Sequence, residues 1–509
     1  MTDYLTKTDP FPKQAEAFYL TRDKKAFAYF CKMRTGKSKM ILDEACDKFL
    51  AGKINLLFIA APNGVQQNWV LKEAPQHLAC DYRAIACHGK MNVGEKKQLK
   101  KILEHVGPDH LTIITINFEQ LRFHRKPTPK FKEWMDIIEG HQTMMVIDES
   151  QFIKSPSSQI TKGCIRLGEL SRCKRIASGS PMPKGPEDIF SQARFLGNGF
   201  LPFGNFTAFK AHFCHLQSIE NPSWNPDKPG SKQFLKMVVG YKNEDELKAL
   251  IAKWSFSCTL EEMIGDQGTT IVPGIRYVDF TPQQRRMYKE LKQHSLSTIE
   301  NPPEGMSDED LIEWMLLSNE ARVKAKNGLV SAYRMLELGG GFIKDEEGVV
   351  TELDNNRPKV LMDFITEIED EKAVIWACRT AELEDIVSRL SDKYGPETVV
   401  HYYGATSKED RIKAINDLND PGSPVRFFVA NPQAAGRGID LAGSHHMIWY
   451  TLPNHNFELY VQACARQQGA KQNNIITLTH FVALDSRDEK VMVSNEDKRI
   501  REHKLVFEK

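Results

Sequence analysis

Short apolar runs separated by stretches of helical spacing set the pattern of this chain. Asn55–Ala60 (NLLFIA), Leu111–Asn117 (LTIITIN) and Thr143–Ile147 (TMMVI) are β-branched or Leu/Met-rich, near the length of strands buried on both faces. Arg175–Ala177 is a shorter run of the same kind, and Asn68–His77 and Gly94–His105 carry helical spacing. Strand–helix alternation predicts a parallel sheet covered by helices. The pattern lapses over Gly197–Lys236, rich in Gly, Pro, Asn and aromatic residues, which reads as irregular or inserted. Thr281–Leu338 returns to helical period, with a capping-box candidate at Ser307 and Asp310 ahead of Leu311, Ile312, Met315 and Leu316. A second alternating block follows: Lys372–Ala377, Thr398–Tyr402, Arg426–Ala430, His446–Thr451 and Ile475–Thr479. The predicted class is α/β, two parallel-sheet blocks flanking a helical middle.

Length and charge narrow this picture. A chain of 509 residues is too long for one core, so two or three domains are expected. Lys+Arg 68 against Asp+Glu 67 leaves a net charge of +1, which excludes a protein that coats nucleic acid or membranes by bulk charge. Any nucleic-acid track then requires lysines and arginines segregated onto one surface. The ten cysteines are scattered with no C-x-x-C, the pattern of reduced, mostly buried thiols in a cytosolic setting. Met1–Leu20 carries Asp3, Lys7, Asp9, Lys13 and Glu16, so no signal peptide is expected, and no uncharged apolar run reaches the length of a membrane span. The tryptophans, Trp69, Trp134, Trp254, Trp314, Trp376 and Trp449 among them, read as packing residues, and His445-His446 lacks the company a zinc site needs.

Two segments carry candidate chemistry. Gly36-Lys37-Ser38 precedes a helix-like stretch, Met40–Leu50. Backbone N–H groups at a helix start can cradle phosphates, a lysine can neutralise them and a hydroxyl can hold Mg²⁺. The first glycine of the usual G-x-x-x-x-G-K-[ST] pattern is replaced by Cys31, so alone the tripeptide fits a solvated lysine at a helix start equally well. Met145-Val146-Ile147 then runs into Asp148-Glu149. A carboxylate at a buried strand's tip can hold the Mg²⁺–water shell, and its neighbour can activate the attacking water.

Asp148-Glu149-Ser150-Gln151-Phe152-Ile153-Lys154 resembles the D-E-x-H-x-I-K motif of Swi/Snf-type superfamily 2 helicase-like ATPases. Leu57–Pro62 followed by Asn68-Trp69 and Glu73, Thr115–Glu119, and Ser178-Gly179-Ser180-Pro181 followed by Glu187–Phe190 and Phe195-Leu196 are similar to that family's successive segments. Tyr403-Gly404, Arg411, Ala435–Leu441, Gln462-Ala463 and Arg466 continue in the family's order, so the resemblance spans Phe11 to Gln472. It implies two tandem RecA-like lobes with helical insertions and an ATP cleft between lobes. The expected division is residues 1–275 for the ATP-binding lobe, 276–350 for a helical insertion and 351–509 for the C-terminal lobe, with no segment left for a separate targeting or reader domain.

The resemblance also implies roles. Gln14 reads the adenine edge with Phe11 near the ring; Arg34, Thr35, Gly36 and Lys37 hold phosphates; Ser38 and Asp148 hold Mg²⁺; Glu149 is the base. Ser178 and Ser180 couple nucleotide state to grip on nucleic acid, Arg437 and Gln462 make backbone, phosphate or coupling contacts, Asp440 meets the ribose and Arg466 is the arginine finger. The implied activity is DNA-dependent ATP hydrolysis driving translocation along double-stranded DNA without sequence specificity, or remodelling of DNA complexes. The implied location is the cytoplasm of a bacterial cell or phage-infected host. Arg437-Gly438-Ile439-Asp440 resembles the DEAD-box form instead, which keeps a strand-separating DNA or RNA helicase open. The chain also departs from the family. Gln151 replaces a histidine, and in the final motif Gly469 stands at the second arginine position and Lys471 at a glycine. The histidine replacement bears on coupling, and the final-motif changes keep open an ATP-switched clamp with little hydrolysis.

Overall fold

The computed structural model describes residues 5–89, 91–124, 126–220, 233–265, 270–298, 334–344, 349–436, 438–453 and 456–508. The Ser307 capping box, Trp314 and Arg437 lie outside these residues, as does most of the 276–350 stretch. The chain forms two units. The first comprises Met1–Phe213, Lys242–Gly265 and Ile500–Lys509, and the second Cys214–Tyr241 and Asp266–Arg499.

The strands in chain order are β1 (Ala26–Cys31), β2 (Leu56–Ala61), β3 (Tyr82–Cys87), β4 (Leu111–Asn117), β5 (Thr143–Asp148), β6 (Cys173–Ser178), β7 (Cys214–Glu220), β8 (Phe234–Tyr241) and β9 (Ser255–Cys258). They continue with β10 (Ile271–Val278), β11 (Phe342–Lys344), β12 (Val350–Glu352), β13 (Ala373–Trp376), β14 (Val399–Tyr402), β15 (Phe427–Ala430), β16 (His446–Trp449) and β17 (Ile476–Ala483). The first unit holds a seven-stranded sheet, order β3-β4-β2-β5-β6-β1-β9, all of whose pairings are parallel. The second holds a six-stranded sheet, order β10-β17-β16-β13-β15-β14, also parallel throughout. Two parallel-sheet α/β lobes are thus present. Among the described residues no helix is long and apolar enough to cross a membrane. All ten cysteines are free, and eight of them are buried.

The apolar runs become the central strands because parallel strands are covered on both faces; β2, β4 and β5 are buried at every position. The helix Val93–Leu103 starts on a capping box in which Asn92 and Glu95 bond reciprocally at 2.7 and 2.9 Å. Gly197–Lys236, expected to be irregular or inserted, contains the helix Phe206–Phe213, then β7 and the start of β8, which pair antiparallel; Cys214–Tyr241 is an excursion from the first unit that belongs to the second. Phe203, Phe209 and Phe213 pack against one another at ring separations of 4.9–5.4 Å, while Phe234 is exposed.

A charged network lies inside the first unit. Arg175 on β6 and Glu44 on the helix Lys37–Leu50 are both fully buried. Arg175 donates from Nε to Glu44 at 2.9 Å and from Nη2 to Glu44, to the Thr21 carbonyl at 3.0 Å and to the Lys24 carbonyl at 2.8 Å. The Tyr29 hydroxyl donates to Glu44 at 2.8 Å, and the Lys48 ammonium lies 3.3 Å from it. All three guanidinium nitrogens and both Glu44 oxygens have partners, the condition under which a buried ion pair is tolerated.

Candidate ATPase site

In a parallel sheet the carboxyl ends of the strands share one edge, where ligands bind. β5, β6 and β1 are neighbours, with Asp148 opposite Ala177 and Phe30 opposite Ser178. Their ends therefore set side by side Asp148-Glu149, the Ser178–Met182 loop and the loop Lys32–Gly36 that leads into the helix Lys37–Leu50.

The Lys32–Gly36 loop is wound tightly. Arg34 and Gly36 have φ of +67° and +75°. The positive φ at Gly36 favours glycine, and a Cβ there would push the Gln14 amide nitrogen off its place. Gln14 accepts from the Phe11 N–H at 3.0 Å and donates to the Thr35 carbonyl at 2.9 Å, tying the helix Pro12–Thr21 to the loop. The Phe11 ring is exposed while Gln14 is buried. The Thr35 hydroxyl donates to the Lys32 carbonyl at 2.7 Å, and Lys37 Nζ donates to the Cys31 and Lys32 carbonyls at 2.8 and 3.2 Å.

Beside the loop lie carboxylates in poor company. Burial first, then the neighbouring Glu149, pushes Asp148 up to about 7; the Trp69 hydrogen bond and the Lys37 charge pull the other way, and Glu73 adds a small upward push. Trp69 Nε1 donates to Asp148 Oδ2 at 2.9 Å. Burial also raises Glu73, against Lys72 and a hydrogen bond from the Ser38 hydroxyl. Among the described residues no group of three or more His, Cys, Asp or Glu could hold a metal ion. Ser38 and Asp148 are hard oxygen donors of the kind that bind Mg²⁺ when phosphates and waters complete the shell. The excess carboxylate charge around them fits such a cation.

A folded value above the ordinary carboxylate value has a definite consequence for stability. Ionised Asp148 is disfavoured only in the folded unit. The cost is absent below the ordinary value, grows as pH rises towards about 7 and is full above it. Asp148→Asn, which can still accept from Trp69, is expected to raise the Tm of nucleotide-free protein above pH 7. It should not do so near the ordinary carboxylate value. Calorimetry at both pH values checks this, and equal shifts at both would contradict it.

Glu149 sits at φ +55°, a conformation non-glycine residues hold only when the surroundings enforce it. Its carboxylate accepts from Gln151 Nε2 at 2.8 Å, and Gln151 Oε1 accepts from the Ser178 hydroxyl at 2.6 Å. Ser178 Oγ in turn accepts from the Ser180 N–H at 3.0 Å. A second tie runs through Gln192, which accepts from the Ser150 hydroxyl at 2.6 Å and donates to the Pro181 carbonyl at 2.7 Å. Ser178 and Ser180 are fully buried, so their side chains do not reach nucleic acid in this arrangement. Gln192 left no signal in the sequence. Trp69, read there as a packing residue, is buried and also holds Asp148.

The second unit gathers its own candidates. Arg466 Nε donates to the Gln462 carbonyl at 2.8 Å, and the Leu441 N–H donates to the Arg466 carbonyl at 3.0 Å. Buried Gln462 donates to Glu458 at 2.9 Å. Asp440 lies 3.8 Å from the ammonium of Lys471, an exposed side chain. Gly469, at the family's second arginine position, has φ +129°, a conformation that disfavours any side chain there. Flanking it, buried Gln467 and Gln472 both donate to the Ser444 carbonyl, at 3.1 and 2.8 Å.

The SNF2-related domain family matches residues 47–324, and the helicase conserved C-terminal domain family matches residues 356–468. The first match covers more than half of the chain. The chain belongs to the SNF2-related family.

Among its relatives is the "DNA repair and recombination protein RAD54-like" of Gallus gallus, 21% identical over 463 residues, covering 86% of this chain and 58% of that protein. "Putative protein p41" of Acyrthosiphon pisum secondary endosymbiont phage 1 is 20% identical over 418 residues, covering 77% of this chain and 76% of that one. A solved structure, "Sulfolobus solfataricus SWI2/SNF2 ATPase core in complex with dsDNA", aligns over 100% of this chain and 99% of its own, at 20% identity and a TM-score of 0.40. The chain spans about three fifths of the length of its RAD54-like relative.

Proposed function

We propose that this SNF2-related chain hydrolyses ATP when stimulated by DNA, and that hydrolysis drives translocation along double-stranded DNA or remodelling of DNA-bound complexes. One observation supports the reading above the rest: Lys37 rests on two loop carbonyls within a tightly wound phosphate loop, and the adjacent β5 end carries Asp148 and strained Glu149. Lys37 would exchange those carbonyls for phosphate oxygens, and the helix N-terminus behind it adds N–H donors. Glu149 would orient and deprotonate the attacking water. Phe11 offers an exposed ring to the base. Ser38 and Asp148 would hold Mg²⁺, which screens the phosphate charge when bound. Arg466 is proposed as the phosphate-contacting arginine, Asp440 as the ribose contact, and Arg437 and Gln462 as backbone or coupling contacts.

DNA is favoured as partner by the family and by the recombination role in the RAD54-like relative's name. Contacts to the phosphate backbone carry no base information, so sequence-independent tracking follows. The test compares phosphate release with duplex DNA, single-stranded DNA and RNA, alongside triplex displacement and strand displacement. Duplex-stimulated release with triplex displacement is expected; strand separation without duplex tracking would favour a helicase instead. The glycine conformation at Gly469 favours one further reading, an ATP-switched clamp of slow turnover. Phosphate release that duplex DNA does not stimulate would select it.

A further inference from the structure

The last ten residues, Ile500–Lys509, belong to the first unit. Leu505, Val506 and Phe507 are buried in the core cluster that also contains Leu247, Ile251 and Trp254. Polar contacts fasten the segment from outside: Lys504 lies 3.5 Å from Glu244 and Lys248 lies 3.9 Å from Glu508. None of these contacts uses Glu502.

Glu502 does something else. Its side chain is 1% exposed, and both of its oxygens are turned onto loops of the candidate site. Oε1 accepts from the Ser180 hydroxyl at 2.6 Å and from the Met182 N–H at 3.3 Å; Oε2 accepts from Lys32 Nζ at 3.3 Å. Lys32 opens the phosphate loop, its own carbonyl accepts from Lys37 and Thr35, and its ammonium also lies 4.1 Å from the Phe507 ring centre. Read from the other end, an unbroken path of hydrogen bonds runs from the Glu149 carboxylate through Gln151, Ser178 and Ser180 to Glu502 and on to Lys32. A buried carboxylate is costly unless fully partnered, and here its partners are two site loops rather than the tail's own backbone.

We infer that Glu502 is a positioning residue for ATP hydrolysis: the C-terminal segment fixes the Ser178–Met182 loop against the phosphate loop and, through Gln151, holds the Glu149 carboxylate where it must act. This rests on the ATPase reading above. Glu502→Gln keeps size and one acceptor while removing the charge that Lys32 and Ser180 share.

DNA-stimulated kcat should fall about tenfold, the scale of one charge-assisted hydrogen bond, with KM for ATP changed less than about twofold. Ser180→Ala, which removes the same bond from the loop side, should fall similarly, and the double variant should be no slower than either single. Hydrogen exchange without nucleotide should quicken at residues 178–182 in Glu502→Gln but not in the core strands.

Wild-type stimulated kcat in Glu502→Gln with unchanged exchange at 178–182 would overturn the inference, as would multiplying effects in the double variant. If wild-type protein shows no hydrolysis that depends on Lys37, the ATPase reading fails. The exchange arm then still decides whether Glu502 fixes the loop.

Discussion

Glu149→Gln is expected to lower DNA-stimulated phosphate release by about 10²–10⁴-fold, the range over which a positioned general base contributes. Glutamine has the same length and can occupy the same φ of +55°, but its amide cannot take the proton from water. The amide would also face Gln151 Nε2, which now donates to a carboxylate at 2.8 Å, so that bond would weaken without the loop losing its Ser178 tie. Nucleotide should still bind. Lys37→Ala is expected to abolish stimulated release by a different route, since its ammonium, resting on the Cys31 and Lys32 carbonyls, is the one proposed to meet the phosphates, and KM should rise with the loss of kcat. Steady-state phosphate release at saturating duplex DNA, paired with titration of a fluorescent nucleotide, separates the two. Retention of wild-type turnover by Glu149→Gln would place the base elsewhere.

How far the sequence discloses this site depends on what each residue's signal rests on. β2, β4 and β5 are plain because burial on both faces demands unbroken apolar runs. β1 (AFAYFC) is buried at five of its six positions but has no β-branched residue, and it was not anticipated. β3 escaped because it lies at the sheet's edge and alternates partly exposed positions. The placement of Asp148-Glu149 and Gly36-Lys37-Ser38 at neighbouring strand ends is legible because each pattern is local in sequence. Gln192 and Glu502 are not, since their roles come from partners 42 and 322 positions away (Ser150 and Ser180). A glutamine or glutamate in a helix has no pattern that points to such a partner. The Gly469 departure was visible, but only its φ of +129° shows that the backbone has adapted to the glycine.

Arg175→Met is expected to cost about 3–5 kcal/mol of unfolding free energy, the scale for removing one partner of a buried ion pair. Glu44 would remain fully buried, keeping Tyr29 and Lys48 as partners but losing the guanidinium that also satisfies the Thr21 and Lys24 carbonyls. Glu44→Gln added to Arg175→Met should deepen the loss, because the buried Lys48 ammonium, 3.3 Å from Glu44, then loses its counter-charge. The position of the pair makes the effect more than a stability matter. Glu44 stands on the helix that begins at Lys37, and Arg175 on the strand that ends at Ser178. The bond between them therefore ties the helix Lys37–Leu50 to the strand carrying the Ser178–Met182 loop. Loosening it should slow stimulated hydrolysis at temperatures well below the unfolding transition, and urea titration with phosphate release on the same samples measures both. A loss below about 1 kcal/mol, the scale of an exposed pair, would show that the network is dispensable.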